Sequence, residues 1–392
     1  MDWKRFSFRW RLQGNFFPEL VQIEAYRQAA LNLVLPPDWS RQLDELNRIR
    51  AVHGTTALEG NPLSETAVGE QLRREAASAA LPEGESQEHR QVRNAGLAQN
   101  WVRKRFHPGS FPLQVSDILS MHRLLTEGSD DRNNIPGRLR THGVVVGTTD
   151  LGGVHRGAPH EELPRLMDGF VEFVGSREFA AEHPVVRALL AHFFLVTIHP
   201  FGDGNGRVSR LVEAGILFQG AYNVHGFYGL SNYFYRHGDE YKTLLQKSRR
   251  SRPFDLSEFI AFGIKGFRSE LKGINNFIKT RINRVMYRNA LFRAFNERVG
   301  PRRRALNQRE YGLLEYLTRT TEPSDPFAEE PSRRIRFTDL MSDPYVQQVY
   351  RKVTERTFRR ELVRLFEQGF VKLVAEDGEL TVQLDFRAIG KY

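Results

Sequence analysis

Apolar and polar positions alternate from the start of the chain. In MDWKRFSFRWRL, Phe6, Phe8, Trp10 and Leu12 stand between polar neighbours, the period-two pattern of a strand with one face buried. After Ser40 the period lengthens. Leu43, Leu46, Ile49 and Val52 recur at helical spacing, with Ser40 as the expected N-cap. VVRALLAHFFLVTIHPF, from Val185 to Phe201, is the longest apolar run; Arg187 and His192 interrupt it and it is too short to cross a bilayer, so it predicts a buried helix ending near Ile198. RVSRLVEAGILF then places Val208, Leu211, Val212 and Ile216 at helical spacing. Towards the end, VTERTFRRELVRLFEQGF predicts a helix capped by Thr354, with Phe358, Leu362, Leu365 and Phe366 inward and Arg356, Arg359, Arg360 and Arg364 outward. VKLVAEDGELTVQLD reads as two strands around an Asp377-Gly378 turn.

Helical patterns dominate, so the expected fold class is mainly α. A length of 392 residues exceeds the usual single domain, and the patterning suggests three parts. An N-terminal helical region covers residues 1–105 and contains the loose stretch Leu81 to Gln87. A central core covers 106–295, with one short hairpin formed by HGVVVG and the Gly-rich LGGVHRGAP. After the basic junction GPRRRALNQRE and the acidic loop TEPSDPFAEEPS, a small domain covers 300–392.

Composition narrows the chemistry. With no cysteine in the sequence, disulfide scaffolds, thiolate nucleophiles and thiolate zinc sites are excluded. The N-terminus lacks the unbroken apolar core of a signal peptide, and the expectation is a cytoplasmic protein without membrane contact. The net charge of +10 is concentrated: residues 241–310 carry 18 Lys and Arg against 5 Asp and Glu. Such a stretch suits nucleic acid, an acidic protein or nucleotide phosphates, and equally a solvated helix face.

The densest chemistry lies in HPFGDGNGRVSR, His199 to Arg210, a loop between the two central helices. Gly202, Gly204 and Gly206 are free to expose their amides at a helix N-terminus, which makes an anion site. Arg207 and Arg210, at i and i+3, can both reach one string of phosphates. Asp203 would repel a bare anion unless a cation such as Mg²⁺ lies between them. His199 can accept a proton near neutral pH. Together these parts suit nucleotide transfer to a hydroxyl.

The same string resembles the Fic signature HPF-x-[D/E]-GNGR-x-x-R, all nine specified positions being met. The resemblance implies a helical Fic core with a β-hairpin flap and a reaction that moves AMP from ATP to a Ser, Thr or Tyr hydroxyl of a protein, either another chain or its own. It assigns His199 as general base and Asp203 as Mg²⁺ ligand. Gly204, Asn205 and Gly206 become the phosphate cradle, Arg207 and Arg210 the holders of the outer phosphates, and Phe201 the plug into the core. The Doc branch carries lysine at the position of Gly206 and acts as a kinase, so AMP transfer is the expected direction.

Upstream, Thr55 to Gly60 fits the inhibitory pattern [S/T]-x-x-x-E-[G/N] of autoinhibited Fic proteins, with Glu59 as the glutamate that would pair with Arg210; an ordinary helix end at Gly60 explains the same residues. Val144, Val145 and Val146 match the flap strand that docks a target, with Val154 to Gly157 as its return. Tyr235 and Tyr241 fall where the family lines its adenine pocket. The family's following asparagine is replaced here by Ser248, Arg249 and Arg250, which opens the choice of base. The C-terminal part resembles a winged helix-turn-helix, either a DNA contact or a dimerisation module, and its charge is nearly balanced, 17 basic against 15 acidic residues over 301–392. The first reading is therefore an autoinhibited protein adenylyltransferase using ATP and Mg²⁺. The alternatives are a nucleotide-sensing DNA-binding regulator and an enzyme that removes AMP with the same site.

Overall fold

The computed structural model describes residues 1–77, 85–129, 133–223, 225–226, 229–300, 303–376 and 378–392. The stretch beginning at Leu81 falls partly, and Asp377 of the expected turn wholly, outside the described residues; Gly378 has φ of +80°. The chain is mainly helical and separates into two compact units, 1–271 and 272–392.

In the first unit, β1 (Trp10–Arg11) precedes α1 (Phe17–Leu31), α2 (Pro37–Ala57), α3 (Glu65–Ala77), α4 (Gln87–Arg105) and α5 (Val115–Thr126). A hairpin of β2 (Val145–Val146) and β3 (His155–Arg156) follows, then α6 (Leu163–Val174), α7 (Arg177–Ala181), α8 (Pro184–Ile198), α9 (Asn205–Gln219), α10 (Ser231–Arg236), α11 (Gly238–Ser248) and β4 (Phe254–Asp255). Helix α12 (Ser257–Asn296) carries the chain from one unit into the other.

Helix α8 is the centre of the first unit because it is apolar on every side, the pattern of a fully enclosed helix; between Val185 and Ile198 only Arg187 is not buried. It packs against α9, whose residues Val208, Leu211, Val212 and Ile216 are buried as their spacing predicts. The N-terminal alternation holds, with Phe6, Phe8, Trp10 and Leu12 half-buried between exposed neighbours. Regular pairing is confined to Trp10–Arg11, parallel to Phe254–Asp255. The preceding aromatics are held by rings instead: Phe8 stacks on Phe173 at 5.2 Å between centroids and meets Phe194 edge-on at 5.3 Å.

Two local expectations change. Helix α2 starts at Pro37, ahead of Ser40, because proline in the first turn pre-sets the helical φ and lacks an N–H to satisfy. It ends at Ala57, ahead of Gly60. Gly60, at φ of +92°, closes the following turn, with the Gly60 N–H donating to Ala57 O at 2.9 Å and that of Asn61 to Thr56 O at 3.1 Å. Glu59 therefore projects from a tight turn. Among the described helices, none is long and apolar enough to cross a membrane.

The second unit continues from α12 through β5 (Arg298–Gly300), β6 (Arg303–Arg304), α13 (Gln308–Thr320), β7 (Ile335–Arg336), α14 (Phe337–Ser342), α15 (Pro344–Tyr350), α16 (Glu355–Gln368), β8 (Val371–Glu376) and β9 (Glu379–Leu384). A three-stranded sheet, ordered β7-β9-β8, covers a core that includes Tyr287, Leu314, Phe358, Leu362 and Leu365. Thr354 caps α16 as expected. Two positions on α16 depart from the sequence reading. Phe366 is exposed, since Gly369 ends the helix in a left-handed turn and Phe370 fills the core position instead. Arg364 turns inward to the buried carboxylate of Glu310, leaving Arg356, Arg359 and Arg360 on the exposed face.

Candidate active site

The loop between α8 and α9 begins with a strained residue. His199 ends α8 with φ of +56°, a left-handed conformation that costs a non-glycine residue about 1–2 kcal/mol. The N–H of Nδ1 donates to the Val196 carbonyl at 3.2 Å, which leaves the lone pair on Nε2. Burial, partly offset by that hydrogen bond and assisted by Arg249 and Arg140, pushes the imidazole down to about 4. At neutral pH the ring is an uncharged proton acceptor.

The backbone around His199 is braced by a residue that sequence spacing did not single out. Arg140 is buried; its Nε donates to His199 O at 2.9 Å, and its two terminal nitrogens hold the carbonyls of His142 and Ala158, one at each base of the β2–β3 hairpin. One side chain thus ties the hairpin to the His199 turn. Arg140→Met is expected to lower the stability of the first unit by about 2–4 kcal/mol, because three carbonyls lose a charged donor. Calorimetric melting checks this, and an unchanged transition would contradict the bracing role.

The remainder of the loop is fixed from below. Phe201 is fully buried and stacks on His122 at 3.8 Å, and His122 Nε2 in turn meets Asn134 Oδ1 at 3.1 Å and Asp203 O at 3.2 Å. Asn134 Oδ1 also accepts from the Asp203 N–H at 3.0 Å. A Cβ at Gly202 would strike the Asn133 carbonyl, so only glycine fits there. The Asn205 carboxamide accepts from Phe201 N and donates to Phe201 O, each at 2.9 Å, so its side chain clamps the loop and only its backbone is left to face an anion. Gly204, at φ of +78°, starts α9 with no side-chain cap, and the first amides of the helix point out as an anion site.

A cavity of about 470 Å³ opens on this turn. It brings together Glu59, Val146, His199, Asp203, Gly204, Asn205, Gly206, Arg210 and Tyr241. Val144 and Val145 line a separate cavity on another side of the flap. Arg207 departs from the expected pair of forks: it is buried, donates to Asp203 Oδ2 at 2.5 Å, and lines a different cavity behind that carboxylate. Tyr235 also departs, half-turned to solvent against the His53 ring. Tyr241 is buried, stacks on Phe234 at 4.5 Å, and its hydroxyl meets His192 Nε2 at 2.8 Å, while His192 Nδ1 meets Glu213 Oε2 at 2.7 Å. Neither His192 nor Glu213 carries a sequence signal beyond its place on an apolar helix.

Beside these amides, Arg210 already holds a carboxylate. Glu59 Oε1 accepts from Arg210 Nη2 at 2.7 Å and lies so close over Gly206 that a Cβ there would collide with it. Arg210 is further held by Thr55, its Nε donating to Oγ1 at 2.8 Å and its Nη2 to the carbonyl at 3.2 Å. Burial raises the Glu59 carboxyl, and Arg210 and Arg207 together outweigh that, leaving it below its ordinary value. Asp203 is likewise lowered: burial opposes ionisation, and Arg207 and the Gly204 N–H overcome it. Among the described residues there is no group of three His, Asp or Glu able to hold a metal by itself. Asp203, half-exposed at the cavity mouth, matches the single carboxylate that Mg²⁺ needs when phosphates and waters supply its remaining ligands.

Residues 112–217 match the model of the Fic/DOC family. The chain carries a Fic/DOC domain. Curated relatives include protein adenylyltransferase fic-1 of Caenorhabditis briggsae, 32% identical over 41% of this chain and 30% of its own, and protein adenylyltransferase Fic of Drosophila ananassae, 31% identical over 44% and 32%. The match thus spans about a third of the length of these relatives. Two solved structures share the fold. A Fic family protein from Desulfovibrio desulfuricans G20 covers 95% of this chain and 98% of its own at 20% identity and a TM-score of 0.51; Fic-1 from Caenorhabditis elegans covers 67% and 72% at 24% identity and 0.54.

Proposed function

We propose that this chain transfers the adenylyl group of ATP to a hydroxyl side chain of a target protein, and that Glu59 holds the reaction back. One observation carries the proposal: an uncharged histidine with its lone pair on Nε2 shares a cavity with an uncapped helix N-terminus, and the chain's own carboxylate lies over that turn on Arg210. A site that a carboxylate fills in this way is built for a phosphate. The names of the curated relatives support the same chemistry.

The step balances with few parts. The target O–H gives its proton to His199 Nε2 as its oxygen bonds to the α-phosphorus; the bond from that phosphorus to the bridging oxygen breaks, and pyrophosphate leaves. Amides of the Gly204–Gly206 turn stabilise charge on the α-phosphate, and Arg210, once free, fixes the outer phosphates. Asp203 would hold a Mg²⁺ carried in with the nucleotide, which offsets the phosphate charge. With Glu59 in place, Arg210 is unavailable and the triphosphate cannot adopt the in-line pose.

Incubation of the Glu59→Gly chain with α-labelled ATP, Mg²⁺ and a cell lysate tests this; a labelled protein band is expected, and a lysate that stays unlabelled would contradict it. The pH dependence has a defined sign. Because the His199 pKa is lowered to about 4, kcat/KM of the Glu59→Gly chain should stay flat as pH falls from 8 to 6 and decline only near pH 5 and below. A midpoint near the ordinary histidine value of 6.5 would contradict the assignment. The Glu59 carboxyl lies below its ordinary 4.5, so acidification to pH 5 leaves the wild-type chain inhibited.

A further inference from the structure

We propose that the target segment docked along the flap is acidic, with carboxylates flanking the modified hydroxyl; calling that segment the target rests on the transfer reading above. The second flap cavity, about 980 Å³, is lined by Val144 and Val145 together with Arg156, Arg249, Arg250 and Arg252, and no Asp or Glu lines it. Among the described residues none of these four arginines is in an ion pair. Arg249 is bonded to neutral oxygens, Thr197 Oγ1 at 3.1 Å, Gln246 Oε1 at 3.1 Å and Val196 O at 3.3 Å. Arg250 donates to Gly152 O at 2.6 Å, and Arg252 donates to Arg249 O at 2.8 Å and lies over the Phe254 ring at 4.0 Å. Four like charges facing one opening without counter-ions make a field that selects anions.

The surrounding backbone says what form the anion takes. The β2–β3 hairpin is a two-stranded sheet with open edges, and Val145 and Val154 are both more than half exposed. An open edge with protruding valines pairs with an extended peptide, which offers main-chain hydrogen bonds and alternating side chains; a nucleic acid strand offers neither. Register follows from Arg249, which lines both this cavity and the nucleotide cavity and contacts Val196 and Thr197, just ahead of His199. A segment whose hydroxyl reaches His199 therefore places its neighbouring side chains among the arginines.

Binding can be read without turnover. Two fluorescent peptides share a serine at the centre of a β-prone stretch; one is flanked by glutamates and the other by lysines, and anisotropy is measured against the full-length chain. The glutamate peptide is expected to bind about tenfold more tightly at low salt, the sum of a few exposed ion pairs, with the preference shrinking as salt rises. The double variant Arg156→Glu, Arg250→Glu should reverse the preference, and proline within the pairing stretch should weaken binding. Equal affinity of the two peptides for the wild-type chain would overturn the proposal even if the double variant does not fold. So would an oligonucleotide of equal charge that binds as well as the glutamate peptide and competes with it. Absence of label from α-labelled ATP would defeat the transfer reading and leave this binding result standing.

Discussion

In the Glu59→Gly background, His199→Ala is expected to lower the rate of AMP transfer by about 10²–10⁴-fold, the usual contribution of a positioned general base. The loss should fall on kcat, because His199 shares the cavity with the turn while, in the proposed reaction, the turn amides and Arg210 are what hold the phosphates. The nucleotide should still bind with nearly unchanged affinity. The helix cap survives the substitution, since the His199 N–H to Leu195 O bond at 3.1 Å is a backbone contact. Alanine in the same left-handed conformation keeps about the same strain as histidine. A released chain that transfers AMP equally well with alanine at this position would remove histidine from the chemistry.

Glu59→Gly alone should raise the transfer rate by about ten- to a hundredfold over wild type. A hydrogen bond to a charged group contributes about 1.5–3 kcal/mol, and that interaction is what ATP must displace to engage Arg210. Glycine is tolerated at this site because the following residue, Gly60, closes the turn and Glu59 makes no other contact that the fold requires. A second readout separates release from a general gain in activity. Without Glu59 the buried Arg210 guanidinium loses its ion pair and keeps Thr55 and Tyr241 beside it, so MgATP should raise the melting temperature of the variant more than that of wild type. Equal thermal shifts with unequal rates would place the inhibition elsewhere than at Arg210.

The sequence made the candidate site's loop legible because its residues are local: His199, Asp203 and the glycines lie within one turn and need only the two flanking helices to present them. The same locality exposed α8, whose apolar run admits no surface face. What escaped was what depends on distant chain segments. Arg140 lies 59 residues from the carbonyl it braces, and its GRLR context has no periodicity that marks it. His122 supports the loop from 81 residues away. Arg207 and Arg210 illustrate the same limit, since helical spacing puts both on one face of α9, while the partner of each, Asp203 for one and Glu59 for the other, sends their guanidinium groups to different cavities. Helix boundaries moved for local reasons that outrank periodicity, proline at the start of α2 and the Gly60 turn at its end.

The most direct test of nucleotidyl transfer at this turn is to give the Glu59→Gly chain ATP labelled at either the α- or the γ-phosphorus and to follow where each label goes. The α label is expected on protein and the γ label in free pyrophosphate, both dependent on His199. A γ label on protein would mean phosphorylation, and an α label that persists in His199→Ala would mean that another group does the chemistry; either result would contradict the mechanism.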